Sequence, residues 1–231
     1  MKKLIFLFLF LIISITVLTS FVSSNNADYS ASTKPLTDTK VVVWNQEPGD
    51  PSGYVILASE YIPNYDILVI ACDDFQPVSD ATINSIRWYG GYWGGVPSPF
   101  SMVHVLFYNN SGSTPEQSPV YNETFGYAYT YESLWSYPGY YYTIPSIPSF
   151  SVTAGTTYWV GVYAALNYPP YWGIYYSSST WGSTVVQQSQ DYFGDLNWHV
   201  NSENVDWAFQ LLAIPEEVQN TSLGMLKVLF K

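Results

Sequence analysis

A chain of 231 residues with 18 acidic and 7 basic side chains has a formal net charge of −11. That charge repels phosphate backbones and anionic lipid surfaces, and it sets nucleic acid aside as a partner. Charged residues make up only 11% of the chain and aromatic ones 19%, the reverse of a disordered composition; the 22 tyrosines and 9 tryptophans suit pleated strands better than helices.

Lys2 and Lys3 precede an apolar run at residues 4–18, and small or polar residues continue to Ser24. This is the layout of a secretory signal peptide over residues 1–24, with Val22 and Ser24 at the small-residue positions of the cleavage site. The alternative is an uncleaved anchor, because residues 4–22 are just long enough to span a bilayer. Its Thr and Ser residues and the lack of a charged stop favour cleavage. The expected location is extracellular, secreted or at the cell surface, with no membrane span after cleavage. Residues 25–39 are polar and predict a flexible lead-in.

Residues 41–44 form the first predicted strand, closed by the turn signal Glu47, Pro48, Gly49, Asp50, Pro51. Residues 54–58 form the next. Residues 66–75 read Asp-Ile-Leu-Val-Ile-Ala-Cys-Asp-Asp-Phe, an apolar run ending in two adjacent carboxylates and a ring. The pattern predicts a central strand buried on both faces. Cys72, the sole cysteine, excludes an internal disulfide framework and is expected to be a small buried hydrophobe. Residues 80–83 lead into 86–95, where a strand ends in glycines flanked by large rings.

Residues 101–108 set Val103, Val105 and Phe107 against Met102, His104 and Leu106. A polar turn and a strand at 119–125 follow. Residues 127–144 are almost wholly aromatic and polar, interrupted at Pro138 and Gly139. Residues 156–165 place Tyr158, Val160 and Val162 opposite Trp159, Gly161 and Tyr163. Residues 172–176 and 184–187 are further strands, and residues 205–214 put Val205, Trp207, Phe209 and Leu211 on one face. About ten to twelve short strands separated by turn signals predict an all-β chain, a single β-sandwich domain of jelly-roll type over residues 40–214. In the tail, residues 215–231, Glu216 and Glu217 come first and Lys227 and Lys231 last, which suits a short helix that Gly224 weakens.

Four motifs occur in order: Ala-Cys-Asp-Asp-Phe at 71–75, Trp-Tyr-Gly-Gly-Tyr at 88–92, Gly-Thr-Thr-Tyr-Trp at 155–159 and Asp-Trp-Ala-Phe-Gln-Leu at 206–211. Together they resemble the ADDF, WxGxY, GTTYW and DxAFQL motifs of a family of secreted microbial β-sandwich domains. The resemblance spans about residues 65–213. It implies an exported protein with no established activity, in a family whose members often precede a C-terminal sorting signal. Cys72 stands where that family has a small residue.

Jelly-roll binding domains often carry a structural calcium between an early strand and the last one. Asp74 and Asp206 are the candidate ligands here, with Asp73 as the substitute for Asp74, since calcium takes several oxygens including two or three carboxylates. The alternative is that these acids cap turns by accepting backbone N–H bonds. For ligand binding the candidates are rings beside Gly, Pro or Ser: Tyr92, Trp93, Trp135, Tyr137, Tyr140, Tyr171, Trp172 and Trp181. Flat rings can stack on sugar faces while a few polar groups set orientation, although tyrosines equally decorate protein-binding surfaces. Trp88, Trp159 and Trp207 alternate with core positions and are expected to pack inside.

A glycoside-active enzyme is the weaker reading. Glu132, Asp191, Asp195 and Glu203 lie near aromatics, but their spacing is not diagnostic of a catalytic pair. The expected function is therefore a non-catalytic module that binds glycans or another surface protein. Asn109, Asn122 and Asn220 head acceptor triplets for N-glycosylation.

Overall fold

The computed structural model describes residues 40–49, 56–126, 130–134 and 139–213. One sheet contains β1 (Val41–Gln46), β2 (Ile56–Ala58), β6 (Ala81–Trp93), β10 (Thr130–Leu134), β11 (Gly139–Ile144), β12 (Phe150–Val152), β14 (Tyr171–Tyr175) and β17 (Phe209–Ala213). The other contains β3 (Glu60–Ile62), β4 (Ile67–Leu68), β5 (Ile70–Phe75), β7 (Met102–Ser111), β8 (Thr114–Pro115), β9 (Tyr121–Phe125), β13 (Tyr158–Ala165), β15 (Val186–Ser189) and β16 (Asp195–Val200). The protein is an all-β sandwich.

In the first sheet β6 is the spine. β17 and then β14 pair along one of its flanks, and β12 and then β11 along the other. Ile83 and Ile86 both reach the core although they differ in parity, because the β17 ladder slips between Leu212 and Ala213 and resets the alternation. At its far end β6 carries Gly90, where a Cβ would come within 2.5 Å of the Trp172 ring, so only glycine lets that tryptophan lie across the strand.

The core between the sheets takes Ile86, Trp88, Tyr142, Trp172 and Phe209 from one side and Phe75, Val103, Val105, Phe107, Val160 and Val162 from the other. Trp88, Trp159 and Trp207 are fully buried, as their alternation predicts. The second sheet also buries part of its other face. Ile70, Cys72, Leu106, Tyr108, Trp159 and Val186 form a smaller apolar cluster there, where Trp198 of β16 meets Tyr108 edge to face at 5.4 Å. β5 is therefore buried throughout, in keeping with its continuous apolar pattern. Cys72 is fully buried, and that burial holds its thiol protonated.

The stretch at 66–75 is nevertheless not one strand. Asp66 adopts a left-handed conformation (φ 55°) in the turn after β3, and Val69 exchanges two backbone hydrogen bonds of 2.9 Å with Glu60, so the run starts as the return arm of a hairpin before becoming β5. Two further elements were not among those expected from the sequence. β16 alternates Leu196, Trp198 and Val200 with Asp195, Asn197 and His199, and one helical turn, α1 (Gln190–Phe193), is capped by the Ser189 hydroxyl, which accepts from Tyr192 N, and by Gly194 at φ 83°.

Candidate functional site

Two groupings of polar and aromatic side chains stand out. The first forms at the end of β5. Adjacent strand residues face opposite ways, so Asp73 shares the inner face with Ala71 and Phe75, while Asp74 shares the outer face with Cys72. Asp206 lies just ahead of β17. All three carboxylates are buried.

Main-chain donors take them up. Asp73 Oδ2 accepts from Trp207 N at 2.7 Å and its Oδ1 from Asp74 N at 3.0 Å. Asp74 accepts from Ser183 N through both oxygens, at 3.1 and 3.0 Å. Asp206 Oδ2 accepts from Trp181 N and, at 3.1 Å, from Gln46 Nε2; Gln46 Oε1 in turn accepts from Trp44 Nε1 at 3.1 Å. Gly182, at φ +70°, lets the 181–183 loop close over Asp74, since a Cβ there would lie 2.5 Å from Oδ2. The acids thus fasten β1, β5, this loop and the approach to β17.

Burial pushes Asp73 well above the ordinary carboxylate range, and repulsion from Asp206 and Asp74 adds to it. Burial lifts Asp74 to about 6 and raises Asp206 as well. Their main-chain partners are those of turn-capping acids, the alternative weighed against a shared calcium. Among the described residues no three His, Cys, Asp or Glu side chains are grouped so as to hold a metal ion.

The second grouping is aromatic. β14 pairs with β6 in the register Tyr171↔Trp93 and Trp172↔Tyr92. Successive residues point to opposite sides, so one pair enters the core and the other stays at the surface. Trp93 and Tyr171, both half-buried, stack at 5.4 Å and 24°. Tyr171 continues to Tyr168 at 4.5 Å, and Tyr168 to Tyr65 at 6.1 Å. Tyr65, in the turn between β3 and β4, is 61% exposed.

Asn64 fixes this turn to the other loop. Its Nδ2 donates to Tyr168 O and its Oδ1 accepts from Tyr168 N, both at 3.3 Å. Beside them the Tyr61 hydroxyl donates to Asp66 Oδ1 at 3.0 Å. Beneath lies Glu60, fully buried, with Oε2 accepting from Trp172 N at 2.7 Å.

The same alternation corrects two expected ligand residues. Tyr92 is buried with its hydroxyl on Ser98 O at 2.6 Å, and Trp172 is buried with Nε1 donating to the Tyr142 hydroxyl at 3.4 Å, so neither ring can meet a ligand. Tyr140 packs against the core beside Tyr92. Trp181 is partly exposed but meets Trp44 edge-on at 4.6 Å, next to the acidic centre and not in the aromatic strip. Trp135, Tyr137, Asn220, the leader 1–24, the lead-in 25–39 and the tail 215–231 lie outside the described residues, as does the side chain of Glu132. Among the other suspected acids, Asp195 pairs with His199 at 2.9 Å, an interaction that lowers its pKa.

Tyr65 and Tyr168 were not among the predicted ligand residues. Their signal was a ring in a tight turn (Pro63, Asn64, Asp66) and a ring preceding Pro169 and Pro170. No family model, curated protein or solved structure matches the chain.

Proposed function

We propose that the chain is a secreted, non-catalytic binding module whose aromatic strip, Trp93, Tyr171, Tyr168 and Tyr65, takes an uncharged carbohydrate. The observation that carries this reading is the contiguity of four rings from three separate segments, held by one stacked contact (Trp93–Tyr171), one tilted (Tyr171–Tyr168), one edge-on (Tyr168–Tyr65) and by the Asn64 bonds. Rings already fixed by their neighbours lose little rotamer freedom when a sugar face packs on them. Asn64 and Asp66 stand beside them as polar groups for hydroxyls. Asp66, beside the strip, disfavours anionic glycans.

A second reading, an adhesive surface protein, is favoured by β16, which among the described residues pairs on one side only and exposes Leu196 and Val200. A glycan array run with the wild type, Trp93→Ala and Tyr171→Ala separates the two. Binding to neutral glycans that both variants lose supports the strip. A blank array, with self-association in sedimentation that Leu196→Lys abolishes, transfers the function to the β16 edge.

A further inference from the structure

Glu60 stands where the chain passes from one sheet to the other. Ala58 still pairs with Gly173 of β14 in the first sheet, and Glu60 already pairs with Ala164 of β13 in the second. The β2–β14 ladder ends between them. There the Glu60 carboxyl replaces a backbone acceptor and takes the Trp172 N–H, while Trp172 O accepts weakly from Ser59 N at 3.5 Å. Trp172 is the residue after Tyr171, so this bond sets the height at which the Tyr171 ring enters the strip.

The other oxygen, Oε1, is buried and has no hydrogen-bond partner among the described residues. Among the described residues the titratable groups within electrostatic reach are the Tyr171 hydroxyl on β14 and the Tyr192 hydroxyl on α1, neither of them cationic. β13 contributes only Ala164 at this level. A carboxylate with a bare oxygen and no counter-charge is strongly disfavoured in such a place, so the carboxyl is neutral at neutral pH. Burial accordingly pushes Glu60 up to about 8, against the pull of the Trp172 N–H. The Trp172 N–H bond favours the ionised form, so what ionisation lacks is water or a new donor at Oε1, and admitting either disturbs the packing around Glu60, where Tyr171 and Tyr192 are the titratable neighbours.

We propose that Glu60 is a pH-dependent positioning residue for the aromatic strip, which holds Tyr171 in place while its carboxyl is neutral and releases it, with any bound saccharide, when the carboxyl ionises. The part concerning saccharide rests on the carbohydrate reading; the part concerning Tyr171 does not. The raised value means the ordered strip is fully populated in acid and is lost as pH rises through about 8.

The test uses carbon-13 carboxyl titration of the wild type and Glu60→Gln, which keeps an acceptor for Trp172 N and cannot ionise. Tyrosine ring resonances are followed without ligand, and binding to xylan, galactomannan and hydroxyethyl cellulose is read by affinity electrophoresis. We expect a glutamate carboxyl midpoint near 8 and Tyr171 resonances that move with it. From about pH 6 to about pH 9 affinity should fall about tenfold, as the neutral fraction does, and Glu60→Gln should be flat. A Glu60 midpoint below about 6, static rings in the wild type, or an equal loss in Glu60→Gln overturns the proposal. If no probe is retarded at any pH the carbohydrate reading falls, and the ring resonances alone decide the role of Glu60. Should Glu60→Gln not fold, the wild-type carboxyl and ring titrations still decide it.

Discussion

The acidic centre makes a prediction about pH whose sign is opposite to that of ordinary acid denaturation. Asp74 is 3% exposed and its carboxyl moves from 3.8 to about 6 on folding. The folded state therefore holds the proton more tightly, and stability is full below about 3.8 and declines as pH rises through about 6. Two pKa units correspond to about 3 kcal/mol, of which about 1.4 kcal/mol falls between about pH 5 and about pH 7.5. For a domain of this size that is a drop of about 3–6 °C in melting temperature.

The assay is urea unfolding of the wild type, Asp74→Asn and Glu123→Gln across that range. Glu123 is exposed on β9 and controls for the loss of one surface charge from an acidic protein. Asp74→Asn retains an acceptor for Ser183 N, and its stability should vary with pH by about 1.4 kcal/mol less than that of the wild type. The contribution of Glu60 is common to both and cancels, while that of Asp73, raised in part by Asp74, shrinks in Asp74→Asn and widens the difference in the same direction. Parallel pH profiles for wild type and Asp74→Asn, or a wild type more stable at pH 7.5 than at pH 5, would refute the reasoning.

Gly182→Ala forces a side chain into a left-handed residue and 2.5 Å from Asp74 Oδ2, so the Ser183 bonds must break; a loss of about 3 kcal/mol in urea unfolding is expected, and a change under about 0.5 kcal/mol would sink the lid role of this loop. Ser59→Ala removes a hydroxyl that donates to Val162 O at 2.6 Å and accepts from Ala71 N at 3.0 Å, leaving both backbone groups buried and unpaired. It should destabilise by about 2 kcal/mol, and Ser59→Thr, if tolerated sterically, should recover part of that. Because main-chain N–H groups already occupy the acidic centre, melting temperatures in EDTA and in excess calcium should coincide. A rise of several degrees with calcium, absent in Asp206→Asn, would instead place a shared ion among Asp73, Asp74 and Asp206.

Alternation made much of this fold legible. Val103, Val105 and Phe107 on β7, Val160 and Val162 on β13, and Trp207, Phe209 and Leu211 near the C-terminal end all face the shared core, as period-two reading requires. It failed where backbone geometry interrupts the period. The left-handed Asp66 cuts the apolar run at 66–75; β16 does alternate, and its place in the sheet rests on pairing with β15 and on the Trp198 anchor, neither of which a local pattern reveals. For the ligand rings the reading named both members of two adjacent pairs, and one member of each is buried. Tyr92 with Trp93 and Trp172 with Tyr171 are each adjacent pairs beside glycines or prolines, and composition cannot say which member of a pair turns outward. Only the register of β14 on β6 decides it. Asp73, Asp74 and Asp206 were legible as a group because they end a buried strand and precede the last one, but their donors come from Trp181, Ser183 and Trp207, whose N–H groups have no sequence signature.

Glu60 and the acidic centre flank β5, Glu60 through Val69 just ahead of it and the acids at its far end. Glu60 exchanges backbone bonds with Val69, and Asp73 lies four residues further on, about 13 Å along the chain at the rise of a strand. At that separation, with no shared partner among their hydrogen bonds, their contributions to stability should add. Both involve carboxyl groups buried without a cation, and in both the folded state favours the proton. The two ends differ in what depends on them. Asp74 and Asp206 hold a loop that closes over the sandwich, so their ionisation weakens the fold; Glu60 holds Trp172, so its ionisation reaches the aromatic strip through the adjoining Tyr171. With raised values of about 6 at one end and about 8 at the other, the fold begins to lose stability at a lower pH than the one at which the strip loses its support. As far as these carboxyls decide it, the domain is both more stable and better ordered at its aromatic surface in acid than at or above neutral pH.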